Sequence, residues 1–167
     1  MKKTQTTSRR ALYSGSFDPI TCGHLDIIER IESQFDEIVI LVANSLSKDY
    51  LFSVEELVAM IQECTGGRIK VESTEGLLVD YARKNQISTI VRGLRAVSDF
   101  EYEYAMANMN RTLDSAIETM IVFTRPEYSF IASRMVKEVA SHNGCLEGLV
   151  PESVGLKLKE KLKKGMS

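Results

Sequence analysis

Short apolar runs alternate with segments of helical periodicity along almost the whole chain. The run Ile38–Ala43 is apolar on both faces, as in a parallel strand that helices cover on each side. Five such runs predict strands: Arg10–Tyr13, Glu37–Ala43, Arg68–Ser73, Ser88–Arg92 and Glu118–Phe123. The spacing of apolar residues between them predicts helices over His24–Gln34, Val54–Thr65, Leu77–Asn85, Asp99–Leu113, Phe130–His142 and Pro151–Lys164. This alternation predicts the α/β class, with a doubly wound, Rossmann-like sheet of five parallel strands and helices on both faces.

The composition favours one globular domain without a general affinity for nucleic acid or membranes. The chain has 167 residues and a formal net charge of −2, so any anion site must be local. Its cysteines, Cys22, Cys64 and Cys145, are widely spaced and form no disulfide or zinc motif, so we expect a cytoplasmic location. No apolar run is long enough to span a bilayer. We predict a disordered tail over residues 1–8 and a single domain over residues 9–164.

The stretch from Tyr13 to His24 predicts a site for an anion. A short strand runs into Gly15, an Asp18-Pro19 turn follows, and His24 comes in the first turn of a helix. Unpaired N–H groups and the dipole at a helix N-terminus favour a phosphate there. Taken alone, the motif also fits an ordinary strand–helix loop, because Gly and Pro interrupt loops in general.

Polar side chains follow several predicted strands, at the end of the sheet where α/β proteins bind ligands. They are Ser16 and His24 after the first strand, Asn44, Ser45 and Lys48 after the second, Arg92 and Arg95 after the fourth, and Thr124, Arg125, Tyr128 and Ser129 after the fifth. Cationic side chains occur among them in a chain that is acidic overall: Lys48, Arg92, Arg95 and Arg125. We therefore expect these side chains to converge on a pocket for a poly-anion.

Three segments of the chain resemble the motifs of one family. The segment 14–24, SGSFDPITCGH, resembles the nucleotidyltransferase signature, a G-[TS]-F-D-P loop followed by [HT]-x-G-H. The segments 92–103, RGLRAVSDFEYE, and 128–133, YSFIAS, resemble the later motifs of the bacterial phosphopantetheine adenylyltransferases, in the same order and spacing. The resemblance covers nearly the whole chain, from Arg10 to Leu162.

The resemblance implies an enzyme that transfers the adenylyl group of ATP to 4′-phosphopantetheine, giving dephospho-coenzyme A and pyrophosphate. It implies catalytic roles for His24, which would stabilise the transition state, and for Lys48 and Arg95. Contacts with phosphopantetheine are implied for Ser16, Lys48, Leu78 and Arg92. Contacts with ATP are implied for Ser16, Phe17, His24, Gly93, Leu94, Arg95, Glu103, Glu127, Tyr128, Ser129, Phe130, Ile131, Ala132 and Ser133. The family also implies Mg²⁺ bound mainly through substrate phosphates, no metal site made of protein residues, and a homohexamer.

Simpler interpretations remain open for parts of this pattern. The aromatic and Met residues of the helix Asp99–Leu113 fit ordinary packing of an apolar face into the core. Ser129 fits the N-cap of the helix that follows it. Ala132 and Arg134 stand where the family has hydroxyl residues, which weakens the phosphate contacts implied for that loop. Alternative functions are another small nucleotidyltransferase, such as a nicotinamide mononucleotide adenylyltransferase or a cytidylyltransferase, and a non-catalytic nucleotide-binding α/β module.

Overall fold

The computed structural model describes residues 8–44 and 49–165, which form a parallel sheet covered by helices. The strands are β1 Arg10–Gly15, β2 Glu37–Ala43, β3 Lys70–Thr74, β4 Thr89–Leu94 and β5 Glu118–Phe123. Their order is β3-β2-β1-β4-β5, and every neighbouring pair is parallel. The helices are α1 Cys22–Glu32, α2 Val54–Cys64, α3 Leu78–Lys84, α4 Val97–Leu113, α5 Ser133–Ser141 and α6 Glu152–Gly165, with a 3₁₀ turn at Pro126–Tyr128. The predicted fold class is confirmed. Residues 1–7 of the predicted tail lie outside the described residues.

Alternate residues of the central strands enter two separate apolar cores. Tyr13 and Ile40 face one core, which the apolar faces of α1, α2, α5 and α6 complete. Leu12 and Leu41 face the other core, where Val79 of α3 packs. The alternation places side chains on opposite faces of the sheet, so both faces of the central strands are buried, as the continuous apolar run of β2 predicts.

Several helices begin at places that differ from the prediction. α4 begins at Val97, two residues before the predicted start, and α3 and α6 each begin one residue after theirs. α1 begins at Cys22, two residues before the predicted start, because Thr21 caps it. α5 begins at Ser133 instead of Phe130, because the 3₁₀ turn lies between β5 and the helix. The alternative interpretation of Ser129 as an N-cap is therefore wrong: its hydroxyl donates to the Pro126 carbonyl, and Ala132 precedes the helix without a side-chain cap.

The aromatic side chains of α4 do not pack into the core of the chain. Phe100 and Tyr104 stack on each other with 5.8 Å between ring centroids and stay 54% and 62% exposed. The buried residues of this helix are polar, Glu103 and Asn110. The alternative of ordinary core packing is thus wrong for these rings, since the periodicity marks a face of the helix without saying what covers it.

Strands β1 and β4 part before either of them ends. Their pairing stops at Tyr13 opposite Val91, although β1 continues to Gly15 and β4 to Leu94. The strand order also reverses between these two strands, which makes their carboxyl ends the topological switch point of the sheet. The fold therefore opens a crevice at this point.

Asp18 ties three segments together beside the crevice. Its buried carboxylate accepts hydrogen bonds from the backbone N–H groups of Leu51 and Phe52, at 3.0 and 3.2 Å. It also forms an ion pair of 2.5 Å with the Lys137 ammonium on α5. The loop after β1, the segment before α2 and helix α5 are thus held by one side chain that is 5% exposed.

We expect Asp18→Asn to lower the free energy of unfolding by about 2–3 kcal/mol, because it leaves Lys137 without its charged partner and removes a charged hydrogen-bond acceptor. Urea denaturation monitored by circular dichroism measures this change. Asp36→Asn is the matched control, since Asp36 is also an aspartate in an ion pair, with Arg9, but is 50% exposed. It should cost much less stability than Asp18→Asn, because an exposed ion pair contributes little. Equal losses in the two variants would contradict the role of Asp18.

Candidate active site

A cavity of about 840 Å³ lies at the carboxyl ends of β1 and β4, where the two strands part. Its walls come from the loop after β1, the start of α1, the end of β4, and parts of α3, α4 and α5. Residues from all three sequence motifs line it: Ser16, Phe17, His24, Arg92, Gly93, Arg95, Glu103, Ile131, Ala132 and Ser133. Leu78, which lies outside these motifs, lines it too. The fold therefore brings together side chains that are distant in the sequence.

The floor of the cavity depends on the ring of Phe17. This residue has a φ of +48° and is 1% exposed. Its ring packs edge-on against Tyr13 and His24, at 5.4 and 5.1 Å between centroids. A Cβ atom at position 15 would lie 3.0 Å from the Cζ of Phe17, so glycine is needed where the chain passes over the ring. The aromatic contact fixes the plane of the imidazole.

Thr21 and His24 cap the start of α1 reciprocally. The backbone N–H of Thr21 donates to Nδ1 of His24 at 3.0 Å, and the N–H of His24 donates to Oγ1 of Thr21 at 3.4 Å. This is a capping box in which a histidine takes the usual place of Glu or Gln. Since Nδ1 accepts a hydrogen bond, we infer that the proton of the neutral ring is on Nε2. The capping box therefore leaves His24 with an N–H donor for a ligand.

The surroundings of His24 keep its ring neutral. Burial is the main cause that lowers its pKa to about 4, and the positive charges of Arg95 and Arg92 contribute to the same lowering. At pH 7 the imidazole is therefore uncharged and retains the Nε2 proton. It can donate a hydrogen bond to a phosphate oxygen, while the positive charge of the site comes from the arginines.

Arg92 spans the gap between the diverging strands. Its Nε and Nη2 donate to both carboxylate oxygens of Glu103 on α4, at 2.8 and 2.7 Å. Its Nη1 donates to the carbonyl oxygen of Ser14 on β1 at 2.5 Å. The guanidinium is thus held on three sides, in a geometry that suits bidentate recognition of anions.

Arg95, the residue that follows β4, is held in a similar way. Its Nε and Nη2 donate to the Asp99 carboxylate, at 3.1 and 3.2 Å, and Nη1 donates to the carbonyl of Ile131. The link to Ile131 brings the loop before α5 against the end of β4. Ser133, the first residue of α5, donates its hydroxyl to the carbonyl of Pro19 at 2.8 Å. The start of α5 is therefore fixed beside the loop after β1.

The sequence is similar to proteins of known family. It matches the cytidylyltransferase-like family model over residues 12–139. It is 51% identical over 159 residues to a phosphopantetheine adenylyltransferase of Bdellovibrio bacteriovorus, covering 94% of this chain and 99% of that one. Relatives of the same name from Clostridium novyi and Carboxydothermus hydrogenoformans are each 50% identical, over 87% and 93% of this chain and 92% and 98% of theirs. The chain belongs to the phosphopantetheine adenylyltransferase family.

A solved structure shows the same fold. It is that of a Vibrio parahaemolyticus protein assigned provisionally as a nicotinate-nucleotide adenylyltransferase, with a TM-score of 0.66 and 19% identity over 93% of this chain and 95% of that one. This likeness concerns the fold alone. The family membership predicted from the three motifs is confirmed by the phosphopantetheine adenylyltransferase relatives.

Some residues that the family resemblance implies lie away from the cavity lining. They are Leu94, Glu127, Tyr128, Ser129 and Phe130, and their contacts with ATP stay predictions. Lys48 and Ser45 lie outside the described residues. The sequence predicted that Arg125 would join the poly-anion pocket, and this prediction is wrong. Arg125 is absent from the lining, because it forms an ion pair of 3.1 Å with Asp26 on α1.

Sequence analysis missed several residues that shape this site in the phosphopantetheine adenylyltransferase fold. Asp18 lies within the recognised motif, but its partner Lys137 is 119 residues away, and no sequence signal connects the two. Thr21 precedes His24 by three residues, which is the capping-box spacing, and that signal was available. Ser14 acts through its backbone carbonyl, which carries no sequence signal.

The lowered pKa of His24 predicts a specific loss of stability in acid. In the unfolded chain its pKa is about 6.5, so the unfolded state binds the proton more strongly. The stabilising contribution is therefore present above pH 6.5 and is lost as the pH falls towards 4. We expect this group to lower the free energy of unfolding by about 2 kcal/mol between pH 7 and pH 5, as measured by urea denaturation.

His24→Asn is the control for this pH dependence. Asparagine does not titrate, yet it offers an oxygen that can accept from the Thr21 N–H, so the cap is preserved. The difference between wild type and variant removes the contribution of the carboxylates. An identical loss between pH 7 and pH 5 in the two proteins would show that His24 is not responsible.

Proposed function

We propose that the protein transfers the adenylyl group of ATP to 4′-phosphopantetheine, forming dephospho-coenzyme A and pyrophosphate. Membership of the phosphopantetheine adenylyltransferase family supports this proposal. The observation that carries it is the cavity, which has one polar and one apolar part. At the polar part, His24, Arg92 and Arg95 face the same space. Such a site suits two phosphate-bearing substrates at once.

The apolar part of the cavity suits the arm of the acceptor. Helices α3 and α4 line it with the side chains of Leu77, Leu78, Met106, Met109 and Leu113. Asn110 is buried among the lining residues, and its side-chain Nδ2 donates to Oγ1 of Thr119 at 3.4 Å. The side-chain oxygen Oδ1 of Asn110 is therefore available to accept a hydrogen bond from an amide of the acceptor. Pantetheine is a mainly aliphatic chain with two amide groups, so this lining matches its chemistry. Leu78 is one of the residues for which the family resemblance implies contact with this substrate.

The reaction needs positioning more than it needs a protein nucleophile. An oxygen of the acceptor phosphate attacks the α-phosphorus of ATP, and the bond from that phosphorus to the bridging oxygen of the β-phosphate breaks. The electron pair leaves with pyrophosphate. Arg92 would place the acceptor phosphate and Arg95 the triphosphate, so that attack is in line. The Nε2 proton of His24 would stabilise charge on the α-phosphate oxygens in the transition state. The role of Lys48 stays a prediction of the sequence.

Mg²⁺ is proposed to reach the site with ATP. No group of three or more His, Cys, Asp or Glu side chains within residues 8–44 and 49–165 is arranged to hold a metal ion. The cavity carboxylates of Asp99 and Glu103 are each paired with an arginine. These residues fit an ion held mainly by phosphate oxygens, which would neutralise charge on the leaving pyrophosphate.

The proposed function is tested by measuring pyrophosphate release with ATP, Mg²⁺ and a panel of acceptors. We expect turnover with 4′-phosphopantetheine and none with nicotinamide mononucleotide or glycerol phosphate, because only the first fills both parts of the cavity. Turnover with nicotinamide mononucleotide alone would refute the proposal. ATP binding without turnover of any acceptor would instead favour a non-catalytic nucleotide-binding module.

Two histidine variants test the mechanism within the same assay. His24→Asn should lower kcat by about 10²–10³-fold, the cost of removing one transition-state hydrogen-bond donor. His142→Asn is the matched control, since the chain has two histidines and this one lies exposed at the end of α5. It should leave kcat unchanged. A His24→Asn variant as fast as wild type would exclude the transition-state role.

We also propose that the chain assembles into a homohexamer in the cytoplasm. The support for assembly is the exposed apolar surface of α4 and the end of β5, formed by Val97, Phe100, Tyr104 and Phe123. Contiguous apolar surface of this kind marks protein interfaces.

Among residues 8–44 and 49–165, no helix is long and apolar enough to cross a membrane. Cys22, Cys64 and Cys145 are free thiols, which suits a reducing compartment.

Tyr104→Glu should dissociate the assembly, because it places a charge in the middle of the exposed aromatic face of α4. Light scattering coupled to size-exclusion chromatography measures the mass, which for the wild type should be six times 18.7 kDa. Leu156→Glu is the control, since Leu156 is equally exposed but lies on α6. A wild-type protein with the mass of one chain would contradict the proposed assembly.

A further inference from the structure

The pair formed by Arg92 and Glu103 is the most enclosed ion pair that lines the cavity. The Arg92 and Glu103 side chains are 21% and 9% exposed, and both guanidinium–carboxylate contacts are short, at 2.8 and 2.7 Å. Removing two charges from water is costly unless the geometry is good and the remaining hydrogen-bonding groups are satisfied. A carboxylate in a cavity for polyanions also repels the substrates. Its presence there requires a role that outweighs this repulsion.

The donors of Arg92 indicate that role. A guanidinium has five N–H groups in a fixed plane. Two of them are bound by Glu103 and one by the Ser14 carbonyl, so one N–H on Nη1 and one on Nη2 remain. The Ser14 hydroxyl lies 3.2 Å from Nη1 and is a partner that a ligand can replace. The remaining donors are therefore aimed by the contacts that Glu103 makes on the other edge of the plane.

We propose that Glu103 is a positioning residue for acceptor binding, which holds the Arg92 guanidinium in the orientation that receives the acceptor phosphate. This inference rests on the proposed function, in which Arg92 binds the acceptor. It is additional to the role in ATP binding that the sequence resemblance implies for Glu103, which stays a prediction. Both oxygens of its carboxylate already accept from Arg92.

Asp99 provides the contrast on the same helix. It lies one turn before Glu103 and pairs with Arg95, but the contacts are longer, at 3.1 and 3.2 Å. The Arg95 and Asp99 side chains are also more exposed, at 36% and 25%. α4 therefore offers one carboxylate to Arg92 and one to Arg95, and the enclosed pair is the one on the acceptor's arginine.

The first test compares steady-state kinetics of Glu103→Gln and Asp99→Asn. Glutamine can accept from only one edge donor of Arg92, so the guanidinium loses its fixed plane. We expect KM for 4′-phosphopantetheine to rise by about 10–100-fold in Glu103→Gln, the range for losing a hydrogen bond between charged groups. KM for ATP should rise less than KM for the acceptor. Asp99→Asn should leave the acceptor's KM unchanged. A rise in the ATP KM alone in Glu103→Gln would overturn the proposal.

A double-mutant cycle tests whether Glu103 acts through Arg92. Arg92→Lys keeps the charge but lacks the planar donors. If Glu103 only positions Arg92, the variant Arg92→Lys/Glu103→Gln should have the same acceptor KM as Arg92→Lys alone. Fully additive effects would show that Glu103 acts independently. If the acceptor panel reveals another substrate, the same cycle is measured on that substrate, so the two proposals fail separately.

A measurement on the wild-type protein tests the proposal without depending on whether a variant folds. In protein labelled with ¹⁵N-arginine, the Nε–H signal of Arg92 reports its hydrogen bond to Glu103. We expect this signal to persist when 4′-phosphopantetheine is added, because the acceptor takes the other donors. Loss of the signal on adding the acceptor would show that phosphate displaces Glu103, and the proposal would be wrong.

Discussion

The site depends on how the chain satisfies the backbone where β1 and β4 part. The crevice that admits substrates also removes the ladder partner of the Ser14 carbonyl, and a buried carbonyl without a partner is costly. Arg92 donates to that carbonyl from the neighbouring strand at 2.5 Å. The same side chain therefore satisfies the Ser14 carbonyl and presents a cation to the cavity. One residue at one position thus compensates for the opening of the crevice and also supplies its positive charge.

This arrangement explains how an acidic chain binds highly charged anions. The net charge is −2. In the cavity, which Arg134 also lines, Arg92 and Arg95 are each paired with a carboxylate of α4. The site without substrates is therefore close to neutral, and its positive potential extends only a short distance. His24 adds a donor without adding charge, because its pKa of about 4 keeps the ring neutral. Substrate phosphates are recognised by aimed N–H groups more than by a general field.

The parts of the fold that follow from local pattern could be predicted from the sequence, and those that follow from distant contacts could not. The bounds of β2 and β5 are as predicted, because apolar runs between polar loops determine strands locally. The start of α5 is three residues from its predicted place, since hydroxyl side chains serve caps and turns alike and Ser129 serves a turn. The outward stacking of Phe100 and Tyr104 was missed because periodicity cannot tell a core from an interface.

The same distinction applies to the site. His24, Arg92 and Arg95 were found because they follow strand ends, and the carboxyl ends of parallel strands meet at one edge. Arg125 follows a strand end too, but Asp26 of α1 captures it, and only the packing of α1 against β5 reveals this. Glu103 was recognised by resemblance, while its ion pair with Arg92 was not. Pairing between charged side chains on different elements is a property of the assembled fold, which a linear motif does not encode.

Helix α4 connects the chemistry of the cavity to the outer surface. Its inner side carries the buried Glu103, and its outer side carries the exposed Phe100 and Tyr104, within the same turns. A helix with polar buried residues and an apolar exposed face gains little from its own core. Its position in an isolated chain therefore rests largely on pairs such as Arg92–Glu103 and Arg95–Asp99. In the proposed assembly, another copy would cover the apolar face and fix the helix from outside. The orientation of Arg92 would then depend on both sides of α4, which makes assembly and acceptor binding parts of one structural arrangement.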